Sequence, residues 1–519
     1  MENVTIKDIV EATGGVLLCG DENKVIRGFS IDSREGSEDS IFVPIIGERV
    51  DAHRFIESAL ALNGATFTSE HRPGGPQSDG NCLDGVSGAA HCPNETGVGA
   101  DDKTAKEKHP WEEIAGKTGV VKPWIYVEDT VKAMQQVGTF YRNRLSLPVV
   151  AVTGSVGKTT TREMIAEALS AGKKVFQTLG NQNSQIGVPL TLSRMTKEDE
   201  AAVLEIGMSE RGQIETLTKM IRPNIAVVTM IGVSHIAQLK TQENICREKM
   251  DIVKGLPEDG LVFLNGDDPF LTPYRGKLRQ KTFFYGLSPD CDYRAEEIQN
   301  GDGQISFTFC AGQMRLPVVL GTMGEHNVRN ALVALGVAHQ MGVDVEKAAE
   351  RLSHFHGQRL KIVRSARCMV IDDTYNASPD SMKASVNVLS DMANVQGRRI
   401  AALSDMLELG ENEKQYHYEV GKYIASKPVD EVVVFGTLSR ELLKGAADGA
   451  GEADVRFPGE EEQDVSTMMT KRGLRLTFVK DRDAMTEYLL RILRPEDVLL
   501  LKASNGMKLS KVAKAVIEE

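Results

Sequence analysis

Val149-Val150-Ala151-Val152-Thr153-Gly154-Ser155-Val156-Gly157-Lys158-Thr159-Thr160 is the stretch that decides the fold. Its first five residues are apolar or β-branched without alternation, as in a strand buried on both faces of a parallel sheet. Gly154 and Gly157 then let the backbone turn so that its N–H groups point at phosphate oxygens, and residues 159–170 continue as a helix. Lys158 is placed to reach a nucleotide's terminal phosphates, and Thr159 to offer its hydroxyl to Mg²⁺. The usual phosphate loop has glycine six residues before the lysine, and here that position is Val152. Gly154, Ser155, Val156, Gly157, Lys158, Thr159 and Thr160 therefore form the shorter G-x-x-G-K-T version. The bland alternative is a glycine-containing strand–helix turn, and strand, lysine and threonine running together weigh against it.

Outward from this point, strand signals recur at residues 202–206, 225–230 and 261–265, with helical stretches between, so βαβ units and a parallel sheet are expected. Residues 305–309 alternate at period two, as in an antiparallel hairpin added to that sheet, and 327–341 read as a strong helix. After about Arg359 the rhythm restarts, with strands at 368–371, 399–403, 432–435 and 498–501 and helices at 381–392 and 416–425. This is a second doubly wound unit. Upstream, Ile6, Ile9 and Val10 have helical spacing and are followed by Gly14-Gly15. Short strands at 25–29 and 41–43, a helix at 55–62, a strand at 124–127 and a helix at 131–144 complete a small unit. The fold class is α/β in three domains: a small α/β N-terminal domain (1–147), a central phosphate-loop parallel-sheet ATPase domain (148–360) and a C-terminal Rossmann-like domain (361–519).

Residues 70–119 break the pattern, with nine Gly and four Pro in 50 residues, and read as a flexible insert. Cys82, His91 and Cys92 fall in it at no zinc spacing. Asn94-Glu95-Thr96 is a glycosylation sequon by pattern only.

Composition excludes several classes. The 519 residues are 41% apolar and 26% charged, an ordinary globular balance, with a net charge of −12 that argues against a broad nucleic-acid footprint. Seven cysteines, Cys19, Cys82, Cys92, Cys246, Cys291, Cys310 and Cys368, are scattered with no C-x-x-C, as expected of reduced thiols in a cytoplasmic protein. The start has no basic-then-apolar leader, and no apolar run approaches the ~18–20 residues of a transmembrane segment.

Polar residues collect at strand ends, where open parallel sheets bind ligands. Glu205 ends an apolar strand beside the phosphate loop and fits a Mg²⁺-holding carboxylate. His235 follows the next strand on the same edge, so a second metal position is plausible there. Lys249 lies in a charged helical segment and, on periodicity alone, is a solvated lysine. Asn181 and Asn183 sit in a polar loop that suits a substrate carboxylate or phosphate, or simply a turn cluster. Asn265, Asp267 and Asp268 end another strand and suit either a helix start or a nucleotide contact. Asn327 and Asn330, after His326, share one helical face and suit a base edge or a cap. Asp372, Asp373, Tyr375 and Asn376 follow an apolar strand and look like a substrate site, with an N-cap before Pro379 as the alternative. Ser404-Asp405 and Glu408 repeat that arrangement.

In this order, the motifs resemble the Mur ligase family over nearly the whole chain except the insert. Within it, Asp372-Asp373-Thr374-Tyr375-Asn376-Ala377-x-Pro379 resembles the branch that adds D-alanyl-D-alanine to UDP-N-acetylmuramoyl-tripeptide. The Asp-Asn-Pro-Arg run usual in the sister that adds the third residue is not found. Ser378 stands where the family usually has Asn, and Ser404 and Ala503 where Gly is common.

The resemblance implies an ATP-dependent, ADP-forming amide ligase working through an acyl-phosphate in cytoplasmic peptidoglycan precursor synthesis. It implies UDP-substrate contacts from Ser33, Arg34, Gly47, Asp51 and His53, further substrate contacts from Asn181, Asn183, Tyr375 and Asn376, and nucleotide contacts from Asn265, Asp268, Asn327, Asn330, Arg359 and Asp373 besides the loop. Lys158, Glu205, His235 and Lys249 would be catalytic, with Mg²⁺ held by Thr159, Glu205, His235 and Lys249. In several members of the family a lysine carbamoylated by CO₂ helps hold the second Mg²⁺, and the segment around Lys249 is similar to theirs. The implied partners are small-molecule substrates bound by a monomer, with no nucleic acid. The alternatives are a sister ligase adding a single amino acid to the same nucleotide precursor, and a phosphate-loop nucleotide-binding module without ligase activity.

Overall fold

The structure is a computed structural model and describes residues 1–70, 109–301, 303–357, 359–452 and 465–518. Most of the expected insert, with Cys82, His91, Cys92 and the sequon, lies outside the described residues. The chain divides into two compact units, one of Met1–Ser146 with Gln185–Thr196, the other of Leu147–Ser184 with Lys197–Glu519.

The first unit is built on a five-stranded sheet in the order Val16–Cys19, Trp124–Tyr126, Ala65–Thr68, Ser40–Phe42, Gly28–Ser30, parallel except for the first pair. Its opening helix, Ile6–Thr13, starts on a capping box between Thr5 and Asp8 and stops at Gly14, whose φ of +64° is the left-handed conformation that glycine adopts freely. The insert expectation needs one correction. Pro110–Thr118 is a helix with proline in its first turn, and Trp111 and Ile114, three residues apart, pack on the cluster of Phe42, Ile56 and Trp124. The glycine and proline content of the stretch masked that spacing.

The second unit holds two sheets. The first has nine strands, in the order Met314–Leu320, Ile305–Ala311, Tyr293–Asn300, Lys281–Gly286, Leu261–Asn265, Ile225–Val228, Val149–Thr153, Ala201–Glu205, Val175–Gln177. It is parallel from Val175–Gln177 through Tyr293–Asn300, and the expected antiparallel hairpin closes one side. Helices Lys158–Leu169 and Glu325–Gln340 share one core with its strands, including Val150, Val152, Ile165, Leu169, Phe263 and Leu335. Each such fully buried aliphatic or aromatic side chain contributes about 1.5–3 kcal/mol.

The second sheet has seven strands, in the order Lys361–Arg364, Met369–Asp372, Val498–Lys502, Arg399–Ser404, Glu431–Phe435, Arg475–Val479, Val465–Met469, parallel except at its two edges. Both faces are covered, as a parallel sheet requires. Along one strand, Ala401 and Leu403 join a core with helices Pro379–Asp391 and Glu413–Ala425, while Ile400 and Ala402 join the core under Arg482–Ile492 and Ser510–Glu518. Among the described residues no helix is long and apolar enough to cross a membrane.

Candidate active site

Val149–Thr153 lies between Ile225–Val228 and Ala201–Glu205, so the chain order reverses around it and a crevice opens at the strands' C-terminal ends. The ends are level: Glu205 pairs with Val152, and Val228 with Thr153 and Leu264. The phosphate loop leaves from this point. Gly154 has φ +151°, and a Cβ there would fall 1.8 Å from Thr229 Oγ1, so no other residue fits. Thr229 in turn donates to Val156 O at 2.6 Å and holds the loop.

Two lysines converge on one carbonyl. Lys158 Nζ and Lys249 Nζ each donate to Gly154 O at 2.9 Å. Lys249 is 1% exposed, which corrects the solvated-lysine reading: the charged helix Gln242–Met250 turns it inward. Burial pushes its amine well below the usual lysine range, and the neighbouring Lys158 charge pushes the same way. Lys158 is lowered chiefly by burial, with Glu205 opposing and Arg359 adding to the fall.

Glu205, 1% exposed, is the hub of the polar side. Its two oxygens accept from Thr159 Oγ1 at 2.9 Å and from Asn183 Nδ2 at 2.7 Å, and Asn183 Nδ2 also reaches Asn181 Oδ1 at 2.9 Å. Arg359 donates to Thr159 Oγ1 at 2.9 Å, and its guanidinium lies 4.1 Å from the Tyr375 ring centroid. His235 has left-handed φ +65° at the start of the short helix Ile236–Leu239, and its Nδ1 is 4.0 Å from Glu408 Oε2. Burial first, then Lys249 and Lys158, lower its pKa to about 4, so the ring is neutral near pH 7.

Asn327 and Asn330 do share a face, and they hold the scaffold. Asn330 Oδ1 accepts from Thr161 at 2.9 Å, its Nδ2 donates to Asn327 Oδ1 at 3.1 Å, and Asn327 Nδ2 donates to Met323 O at 2.7 Å. Asn265 Oδ1 accepts from Asp267 N, and Asp268 accepts from the Ile231 and Phe270 N–H groups at 2.7 and 2.8 Å. Burial raises Asp268.

At the second sheet, Asp372 accepts from Thr374 N and Oγ1, and Asp373 accepts from Ser385 Oγ at 2.6 Å. Asp373 also pairs at 2.5 Å with Lys502, which is 2% exposed and donates to Asn376 O at 3.0 Å as well. Sequence reading missed Lys502; its only signal was a lysine ending an apolar strand. The N-cap alternative holds for the end of this segment, where Ser378 and Ser381 form a capping box on Pro379–Asp391. Asp405 caps another helix, accepting from Ser439 N at 2.8 Å and Oγ at 2.6 Å.

In the first unit, Ser33-Arg34 and Gly47–Asp51 follow the ends of adjacent parallel strands. Arg34 pairs with Asp32 at 2.6 Å in solvent, and Gly47 N donates to Val50 O at 2.9 Å. Buried His53 contacts Asp51 Oδ1 through Nδ1 at 2.7 Å and accepts from Ser69 N at Nε2, which fixes the loop. Ile31, Ile46 and Val50 stand exposed beside these residues.

The central and C-terminal regions match known families. Residues 152–338 match the Mur ligase middle domain, and 358–505 the Mur ligase glutamate ligase domain. The chain is 33% identical over 518 residues to the UDP-N-acetylmuramoyl-tripeptide--D-alanyl-D-alanine ligase of Bacillus subtilis, covering 99% of this chain and 98% of that one. Among solved structures, MurF from Acinetobacter baumannii superposes with TM-score 0.80 at 25% identity, covering all of both chains. MurF ligase from Thermotoga maritima in complex with ADP shares the fold, with TM-score 0.73 at 24% identity over 96% of this chain and 99% of that one. A likeness that runs unbroken through all three parts of the sequence, in residues and in fold, means that the chain belongs to the Mur ligase family.

Proposed function

We propose that this protein is an ATP-dependent, ADP-forming ligase that joins D-alanyl-D-alanine to UDP-N-acetylmuramoyl-tripeptide, a step of peptidoglycan precursor synthesis in the cytoplasm. The observation that carries the reading is Arg359, which bonds the phosphate loop at Thr159 and stacks on Tyr375 of the Asp372–Asn376 segment. A nucleotide site and an amine-substrate loop are thereby adjacent, as an ATP-driven ligation needs. The domain limits at 147 and 360, and a monomeric state, belong to the same reading.

In this account the tripeptide's terminal carboxylate attacks the γ-phosphorus of ATP, giving an acyl-phosphate and ADP. The dipeptide amine then forms the C–N bond, and phosphate leaves. Backbone N–H groups of Gly154–Thr160 cradle the phosphates, and Lys158 turns from Gly154 O to neutralise charge that develops on them. Asn265, Asp268, Asn327 and Asn330 shape the nucleotide pocket through the network above, and Asp373 meets it from the second sheet. Asn181 and Asn183 steady Glu205 and the substrate carboxylate. Ser33, Arg34, Gly47, Asp51 and His53 bind the UDP end, and Tyr375 and Asn376 the dipeptide.

The Thr159 hydroxyl and Glu205 carboxylate, 2.9 Å apart, are hard oxygen ligands that fit Mg²⁺. Such an ion would neutralise the transferring phosphoryl group. A second position at His235 fits if Lys249 is carbamoylated, because two ammonium groups at one carbonyl repel a cation. The lowered pKa of Lys249 favours the neutral amine that reacts with CO₂.

An amine panel tests the reading. With ATP and UDP-N-acetylmuramoyl-tripeptide, D-Ala-D-Ala should release phosphate and add its residue mass to the nucleotide. Single amino acids working in its place would identify a sister ligase. ATP binding with no amine-dependent phosphate release would identify a nucleotide-binding module.

A further inference from the structure

Amide formation has a proton problem that the phosphate loop does not solve. The dipeptide amine arrives at neutral pH as an ammonium with no lone pair, so a base must take a proton before the C–N bond can form. Most acids near the crevice are already engaged. Glu205 accepts from Thr159 and Asn183, and Asp268 from two backbone N–H groups. Asp373 is paired with Lys502, and Asp405 caps a helix. Glu408 stands mostly in solvent, its side chain 69% exposed. His235, held to about 4, is a weak base.

Asp380 is different. It follows the Asp372–Pro379 segment in the first turn of Pro379–Asp391, and its carboxyl lies beside Gly232, in the loop after strand Ile225–Val228 of the first sheet. A Cβ on Gly232 would fall 2.5 Å from Asp380 Oδ2 and 3.4 Å from Ser155 Cβ. The carboxyl therefore lies against the loop beside the first turn of the phosphate loop, in space left by a missing side chain. Among the described residues its one hydrogen bond is to its own N–H; no side chain hydrogen-bonds to it. The charged and titratable groups facing it are Lys383 on its own helix, Asp268 from the first sheet and Tyr416 from Glu413–Ala425. Burial raises its pKa despite Lys383 and a helix N-terminus, both of which favour the anion. A carboxylate with no side-chain partner at the junction of amine loop and phosphate loop, its basicity raised by burial, is suited to accept a proton.

We propose that Asp380 is the base that takes the proton from the incoming dipeptide amine. One proton passes from the ammonium nitrogen to a carboxylate oxygen of Asp380. The freed electron pair forms the C–N bond, the C–O bond to phosphate breaks with its pair leaving on oxygen, and the second proton departs with the phosphate. The assignment rests on the ligase reading above.

The full-length Asp380→Asn variant tests it, with ATP, UDP-N-acetylmuramoyl-tripeptide and two nucleophiles. With D-Ala-D-Ala, kcat should fall by about 10²–10⁴-fold and recover as pH rises and free amine accumulates. With hydroxylamine, unprotonated near neutral pH, hydroxamate should form at a rate near wild type. That result also shows that the variant is folded and makes the acyl-phosphate. Asp380→Glu should restore part of the dipeptide reaction. An Asp380→Asn variant within threefold of wild type with the dipeptide overturns the assignment. So does an equal loss with both nucleophiles, the mark of a structural role. If the wild-type chain makes no amide at all, the ligase reading fails and this assignment falls with it.

Discussion

Replacing Lys502 with Met leaves a buried carboxylate without its counter-ion, and the size of the penalty follows from the geometry. Lys502 Nζ is 2.5 Å from Asp373 and 3.0 Å from Asn376 O, and the lysine is 2% exposed, so its charge is held away from bulk solvent. Removing one partner of such a pair costs ~3–5 kcal/mol, because the remaining charge keeps its desolvation penalty. Among the described residues only Ser385 still donates to the Asp373 carboxylate. The two residues tie neighbouring parallel strands, since Asp372 pairs with Leu501, so the loss should be local to strands Met369–Asp372 and Val498–Lys502. Amide hydrogen exchange on peptides covering these strands reads it directly: 3–5 kcal/mol is a rise in exchange of roughly 10²–10⁴-fold. Adding Asp373→Asn removes the orphaned charge and should recover more than half of the loss, a coupling that a double-mutant cycle measures. A Lys502→Met change under about 1 kcal/mol, or no recovery in the double variant, would refute the reasoning that the pair is mutually dependent.

Three further outcomes follow from the same geometry. Gly154→Ala places a Cβ 1.8 Å from Thr229 Oγ1 at a φ of +151°, so ATP turnover should be lost while the C-terminal sheet keeps its exchange protection; normal turnover would contradict the loop geometry. Lys249→Ala should lose activity and regain part of it with added short carboxylates, and no initial loss would count against a metal-facing role. His326 is lowered from 6.5 to about 4 by burial, with Asp373 opposing and Lys502 adding to the fall. Its folded state therefore binds fewer protons than the unfolded chain, so its stabilising share is full above pH 6.5 and lost as pH falls toward 4, about 3 kcal/mol in all. An imidazole titration near 6.5 by NMR would contradict that burial.

The fold was largely legible because unalternating apolar runs next to Gly, Asp or Glu mark the C-terminal ends of buried parallel strands. That pattern located the strands before Gly154, Glu205, Asp267 and Asp372, and with them most of the site. Short strands such as Val16–Cys19 and Ala65–Thr68 escaped, having too few residues to show a period. Lys249 was misread on periodicity because a helix dense in charge does not announce which lysine turns inward. Lys502 depends on Val498–Lys502 crossing to lie between Met369–Asp372 and Arg399–Ser404, a strand order that local sequence does not encode. In sequence Asp380 is one more acid in a helix's first turn, a position that carries no signal of its own. Only Gly232, nearly 150 positions earlier, makes the space it occupies.

The central claim, ligation through an acyl-phosphate at the Gly154–Thr160 loop, is tested most directly by isotope transfer. UDP-N-acetylmuramoyl-tripeptide carrying ¹⁸O in its terminal carboxylate is turned over with ATP and D-Ala-D-Ala, and the released phosphate is analysed by mass spectrometry. One ¹⁸O per amide bond should appear in inorganic phosphate, and Lys158→Ala should abolish the transfer. Amide product formed with unlabelled phosphate would contradict the account.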